Sequence, residues 1–579
     1  MIYLKKNFER GIPMFRKNNT QQITLEDPVL ALPKYLRQNL EKSWASPFNK
    51  YVFSKINEEP FQVLYSNEVS RPNTPVNILV GLLILKENFK LADEDLIGSL
   101  HFDLRFQYAL GTTSYEKQPV SINTLSNFRN RVMEYEKKTN IDLIKQEIEA
   151  LATHMESEMM IDGKMLRMDS MMISSSCKKL SRIELVYTVN LNLIKKLNKI
   201  NPTFVPQELQ CYLKEGHKNE TIYKTRDKDA TTKLEWLLSH SLLLEETCLS
   251  LNNEILQTEA YQHLSRLLRE QTEKSEEDVV VPKQGKELNS EILQNPSDPD
   301  ATYREKYTDN VGYVANLVES FSDEAGVIKH YDLKPNTYSD IKFSEDLIDT
   351  LNNCEGTNIL VDGAYYSHEM NEKAKEKGVV LKPGQLVGKA PSTDKIAYSE
   401  FEVDEESKKV TLCPNKEKPQ MSYFSKNSHT AKFKNEQCEN CPLRKKCPAK
   451  KEKKGYSVKF SSKAYSNSKL RKEMQTKEYI QLTNKRAGVE GIPSVIRRKY
   501  QVDSMPVRGL LRSKLWFSFK IGAYNFNKLL RYLGKKGVLS FSYLLNIYLY
   551  TFIGNFTNMI KITHEIFAFK ISKAPVFGV

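Results

Sequence analysis

At 579 residues the chain exceeds what one hydrophobic core usually organises, so roughly three or four structural units are expected. Its 40% hydrophobic content excludes a disordered protein, and a formal charge of +14 favours a polyanionic partner. Eight cysteines in such a length exclude a disulfide framework and fit a reducing cytoplasm, and the first residues lack the uninterrupted apolar core of a signal peptide.

In chain order, residues 75–150 read as helical. PVNILVGLLILKENF is apolar enough to be core, and LADEDLIGSLHFDLRFQYAL keeps helical periodicity. A punctuated turn follows, and then the helix INTLSNFRNRVMEYEKK, with Ser121 as N-cap and Thr124 in its first turn. Arg129 and Arg131 near its start suit phosphate contact, as in a helix-turn-helix. From Glu158, EMMIDGKMLRMDSMMIS reads as strand, turn, strand. Residues 180–275 return to helix. VGYVANLVESFS, DEAG and VIKHYDLKP read as a hairpin, with Asp309 and Asp323 as turn and loop residues. Then come the helix SDIKFSEDLIDTLNN, the short strand TNILVD, the turn GAYYS, the helix HEMNEKAKEKG and the strand VVLKP. Strands alternating with helices predict an α/β sheet. The lysine-rich AKKEKKGYSVK reads as an exposed loop, and the region from about Glu473 to Tyr532 as helical. From Ile480 to Lys536 there are thirteen Lys/Arg against only Glu490 and Asp503, too lopsided for an ordinary solvated face. The apolar stretch Gly537–Phe556 carries Ser540, Ser542, Asn546 and Asn555 and reads as a buried helix rather than a membrane span.

Three acids stand where metal-assisted phosphodiester chemistry would need them. Asp169 ends the strand-like MLRMD, Asp362 ends ILVD before a glycine turn, and Glu490 lies in NKRAGVEGIPSVIRRKY. Hard cations that grip a phosphate take carboxylate oxygens from a few such residues. Asp162 in MMIDG is the alternative first acid. On a helix, Arg486, Glu490 and Arg497 fall at roughly 0°, 40° and 20°, so one acid and two arginines share a face. Gly488, Gly491 and Pro493 conflict with that helix. Gly363 supplies backbone freedom after Asp362, and Tyr365 a packing anchor.

The order LRMDS, DPDATYREKY…VGY, LVDGAYYS and KRAGVE…R resembles bacterial insertion-sequence transposases of the DDE type, in the group with a four-cysteine insertion before the catalytic glutamate. The resemblance runs from about Tyr65 to Leu530. It implies a ribonuclease H-like α/β core, a mixed sheet flanked by helices. Around that core it implies an N-terminal all-α domain, a long helical insertion and a small cysteine-rich insertion. The corresponding limits are 1–150 for a DNA-binding or dimerisation domain and 155–400 for the first part of the core, with its insertion at about 180–295. They are followed by 410–455 for the cysteine-rich insertion, 456–536 for the rest of the core and 537–579 for a tail. It implies Asp169, Asp362 and Glu490 as ligands of Mg²⁺ or Mn²⁺, and Arg486, Arg497, Arg498, Lys499, Arg129 and Arg131 as DNA contacts. Of the associated tyrosine–arginine–glutamate–lysine signature, Arg486 and Glu490 match by spacing. Thr483 stands where tyrosine is expected, and Arg497 replaces the lysine. The partners implied are double-stranded DNA, as element ends and as target, and further copies of the chain, with no membrane and a nucleoid-associated cytoplasmic location.

Cys413, Cys438, Cys441 and Cys447 have the spacing of a tetrahedral zinc site, with His429 as a possible substitute for the distant Cys413. Lys432, Lys434, Arg444, Lys445 and Lys446 around it suit a DNA-facing surface. The competing interpretation of the whole chain is a DNA-binding regulator without catalysis.

Overall fold

The computed structural model describes residues 14–18, 27–68, 71–113, 120–223, 229–251, 253–274, 280–306, 308–351, 354–388, 392 and 394–537. The apolar helix expected after Gly537 lies outside the described residues. The chain forms two compact units. One comprises the residues up to Asp162, Ser170–Tyr338 and those from Pro493 onward; the other comprises Gly163–Asp169 and Ser339–Ile492.

In the first unit, the Val76–Phe89 helix is buried from Val76 to Leu85, as an apolar surface on all sides requires. It packs against the 26-residue helix Leu510–Lys535, which also packs on Leu143–Glu158 and Ile122–Thr139. Gly522 permits this approach: a Cβ there would stand 2.9 Å from Ile148 Cδ1 and 3.3 Å from Ile84 Cγ1. The helices expected as a separate 1–150 domain therefore share a core with the far end of the chain. Ser121 and Thr124 form a capping box at the start of Ile122–Thr139, as expected.

The strand expected at Glu158–Ile161 is absent. The helix Leu143–Glu158 runs to that point and ends in a turn with Met160 at φ 55°. One ten-residue strand follows, β1 (Met165–Ser174), so Asp169 is mid-strand rather than at a strand end. In the first unit the second half of β1 adjoins an antiparallel set: β2 (Thr302–Lys306), β3 (Thr308–Phe321) and β4 (Gly326–Pro335). β3 and β4 are the expected hairpin, paired from Tyr313↔Pro335 to Phe321↔Gly326. Asp309 lies within β3, not in a turn. Between β1 and β2 the helices Arg182–Ile200, Ala230–Ser250 and Glu259–Gln271 enclose their own core, which includes Leu193, Leu197, Leu237, Leu264 and Leu267.

In the second unit the first half of β1 pairs in parallel with β5 (Thr357–Val361), and β5 with β6 (Val379–Pro383). The helices Asp340–Thr350 and His368–Glu376 appear where expected, the latter as the crossover between β5 and β6. A second, antiparallel sheet comprises β7 (Met421–Ser425), β8 (Ser428–Phe433), β9 (Lys450–Glu452) and β10 (Gly455–Ser461), in the order β7-β8-β10-β9. The lysine-rich segment read as a loop is thus the β9–β10 hairpin. Tyr456, Val458 and Phe460 alternate inward and give β10 its register against β8. The helices Ser462–Glu473, Lys477–Asn484 and Ala487–Tyr500 follow, the last continuing from Ile492 into the first unit.

Candidate active site

The parallel pairing runs to Arg167↔Leu360; Asp169 lies two residues further along β1, and Asp362 two residues beyond Leu360, just past the end of β5. Both are half-buried. β5 ends at Val361, and Asp362 caps the short turn Gly363–Tyr365, its Oδ1 accepting from the Gly363 N–H at 2.7 Å and from Gln385 Nε2 at 3.4 Å. A Cβ on Gly363 would meet the Gln385 carbonyl at 2.7 Å, so this glycine lets the chain after β6 close over the end of β5. Tyr365 is buried beneath the turn.

Contacts within this unit hold the segment that carries Glu490. Tyr479 donates to the Pro383 carbonyl at the end of β6 (2.9 Å). Arg486 donates to Glu490 at 2.8 Å, and its Nε lies 3.7 Å from where a Cβ of Gly384 would be. Arg167 Nη1 donates to the Lys485 carbonyl at 2.6 Å, two residues before Ala487 opens the helix. Arg167 fills the space in which Gly488 would carry a Cβ, at 2.0 Å from its Nη1. Gly488, a conflict for a helix on propensity alone, is what this approach requires. The helix runs through Gly491, which faces open space, and Pro493. Glu490 falls in the first turn and is exposed. Asp162, the alternative first acid, lies before Gly163, off the strand and in the other unit.

Arginine and lysine positions divide. Arg486 and Glu490 pair as their spacing predicts. Arg497 does not join them. It belongs to the first unit, where it pairs with Asp503 and donates to the Met172 carbonyl at 2.5 Å. Lys499 bonds to Asn527 Oδ1 at 2.7 Å, and burial, with Arg531 and Lys90 nearby, lowers its pKa to about 8; it supports the fold there. Arg498 remains exposed. Arg129 is held bidentately by Asp93, at 2.7 and 2.8 Å, and holds that carboxyl well below the usual range. Arg131 stacks 5.0 Å over the Tyr65 ring. Arg129 thus has an ion-pair partner and Arg131 an aromatic one.

The four clustered cysteines line one cavity of about 30 Å³ together with Phe401, Phe433, Arg444 and Ala449. Tight turns bring them there: Cys441 N–H bonds to the Cys438 carbonyl at 3.4 Å, and Cys447 N–H to the Leu443 carbonyl at 3.0 Å. Burial, then the neighbouring Cys447, Cys413 and Cys441, pushes the Cys438 thiol up to about 11. His429 is not part of the cavity lining. It is buried on β8, with one ring nitrogen 2.7 Å from the Lys408 carbonyl and the other 3.3 Å from Ser462 Oγ. Among the described residues no group of three or more His, Cys, Asp or Glu side chains stands in position to hold a metal ion. The four cysteines share one cavity.

The sequence pattern did not single out Arg167, Gly384 or Gln385. Arg167 was within reach, because it shares a strand face with Asp169. Gln385 follows a strand with no distinguishing signal.

Residues 412–530 match the family model described as a transposase DDE domain, and residues 37–131 match the one described as a transposase domain (DUF772). The first span contains the four cysteines, Arg486, Glu490 and Arg497; Asp169 and Asp362 precede it. No curated protein and no solved structure matches the chain. No described helix is long and apolar enough to cross a membrane. The DDE match implies a ribonuclease H-like fold, which accords with the mixed α/β architecture, and the two matches together support an insertion-sequence transposase.

Proposed function

We propose that this chain cuts DNA at the ends of its own element and joins the exposed 3′ ends to a target. The observation that supports the proposal is that β1 and β5 pair in parallel up to Arg167↔Leu360, two residues before Asp169 and Asp362, and that Arg167 binds the Lys485 carbonyl just ahead of the helix that carries Glu490. Carboxylate oxygens suit Mg²⁺ or Mn²⁺. Asp169, Asp362 and Glu490 would hold such ions, which when bound activate the attacking oxygen and stabilise the leaving one. Gly363 N–H and Gln385 orient Asp362, and Arg486 orients Glu490. The Arg486 guanidinium, a fork of donors, also matches a phosphate. The thiol set of Cys413, Cys438, Cys441 and Cys447 suits Zn²⁺ in a structural role. Double-stranded element ends and target DNA are the substrates, several copies of the chain act together, and the work takes place at the nucleoid.

The test is nicking of a duplex carrying the element's ends, with Mg²⁺, by the native protein and by Glu490→Gln and Asp169→Asn. Activity in the native protein alone supports the proposal. Binding of those ends without any cutting points to a regulator. Cutting that survives both substitutions places the active site elsewhere.

A further inference from the structure

The β7–β10 sheet has two unlike faces. Pairing across it places Phe424 and His429 with Phe460, and Ala431 with Val458, on the face that builds the cysteine-rich core. The opposite face follows from the same register. Tyr423 lies opposite Thr430 and Thr430 opposite Lys459, so the three form one row. The adjacent row runs Met421, Lys432, Ser457 and Lys450. Met421 and Tyr423 are 56% and 39% exposed, unusual for large apolar side chains standing together on a sheet. Glu452 pairs with Lys432. Among the described residues no hydrogen bond, ion pair or ring contact engages the side chains of Tyr423, Lys450 or Lys459. Residues 408–461 contain fifteen Lys/Arg and four Asp/Glu.

An aromatic ring free on a pleated surface, flanked by unpaired cations, offers two things at once. Its π-face accepts a base, and the lysines accept backbone phosphates. Duplex DNA cannot use the ring, because its bases are stacked inside; an unpaired strand can. We propose that this sheet face binds single-stranded DNA, with Tyr423 stacking on a base and Lys450 and Lys459 contacting the backbone. The proposal rests on the reading of the chain as a DNA-processing enzyme, whose cut ends supply unpaired strand beside the site.

The test is fluorescence anisotropy of the full chain with labelled oligothymidylate and, separately, a blunt duplex, without added Mg²⁺ and without chelator. Tyr423→Ala is expected to weaken oligothymidylate binding roughly tenfold while leaving duplex binding unchanged. Tyr423→Phe, which keeps the ring, is expected to bind as the native protein does. Lys459→Glu is expected to weaken both and to lower the salt slope for the single strand by about 0.7 or more. Unchanged oligothymidylate binding by Tyr423→Ala overturns the proposal, as does an equal loss for duplex. Ring-dependent binding in a protein that never nicks overturns the functional reading alone. Nicking by a protein whose binding ignores Tyr423 overturns this inference alone.

Discussion

Within one compact unit, two groups of metal-type ligands are assembled by different means. Asp169 and Glu490 are separated by more than half the chain, and Arg167, on the same strand as Asp169, bonds to the Lys485 carbonyl just ahead of the helix that carries Glu490. The four cysteines come from one short stretch and are gathered by turns around a cavity with aromatic walls. The acids stay partly open to water, with carboxylates oriented by N–H donors, whereas burial raises the Cys438 thiol. An exposed carboxylate edge can admit a large polyanion. A closed thiol cavity admits one small ion and, once filled, acts on the fold around it.

The sharpest break in that comparison is at the acids. Glu490→Gln, Asp169→Asn or Asp362→Asn is expected to reduce Mg²⁺-dependent nicking on the order of 10³-fold, since about 4 kcal/mol of charge stabilisation is removed. Because all three are at least partly exposed, the melting temperature should scarcely move. A variant that melts early and loses activity only in proportion would make these acids structural. Cys438→Ser should do the reverse. Elemental analysis of the native protein should find one zinc per chain. The substitution should weaken zinc retention by more than the roughly 10- to 100-fold that loss of an outer partner costs. Residues 408–461 should then become sensitive to protease. A native protein free of zinc that still resists protease would show the cavity to be a small apolar core.

Legibility follows the same division. The cysteine cluster could be found by spacing, because its cysteines are close in sequence and the turns between them are short. Asp362 could be found because a run of apolar residues ending in Asp-Gly marks the end of a buried strand. Glu490 was identified by resemblance and by its spacing from Arg486, an i,i+4 pair the structure contains. Arg497 shows the limit of that logic. Helical periodicity put it on the same face, but it could not reveal Asp503 one turn beyond the helix end or the Met172 carbonyl. Lys499 misled for a related reason: a basic run states charge, not depth, and Lys499 points into the Leu510–Lys535 helix. The N-terminal helices were legible as helices. Their union with the last described helix was not, because long-range packing leaves no local mark.

Acid is expected to release zinc. The Cys438 thiol is raised, so its neutral form is favoured, while zinc requires thiolate. Protons therefore compete with the ion, and apparent affinity falls as pH falls through the range below the raised pKa. Between pH 8 and pH 6, zinc affinity measured by competition with a chromophoric chelator should drop by more than about 10²-fold. A flat profile would mean that thiolates do not hold the ion.

The smallest expected effect tests how Glu490 is held. Arg167→Ala removes the donor to the Lys485 carbonyl and should reduce nicking about tenfold, within the range for loss of a hydrogen bond to a charged group. Gly488→Ala attacks the same contact from the other side, because its Cβ would occupy the position of the guanidinium. Arg167 ends in a flexible side chain, so the guanidinium should swing away and the helix should persist. Both variants should need more Mg²⁺ for half-maximal nicking, a change that simple loss of stability would not produce. If the two act through one contact, the double variant Arg167→Ala/Gly488→Ala should be no worse than Arg167→Ala alone. Additive losses would mean that Gly488 serves the helix independently and that the tie to β1 is not what sets the position of Glu490.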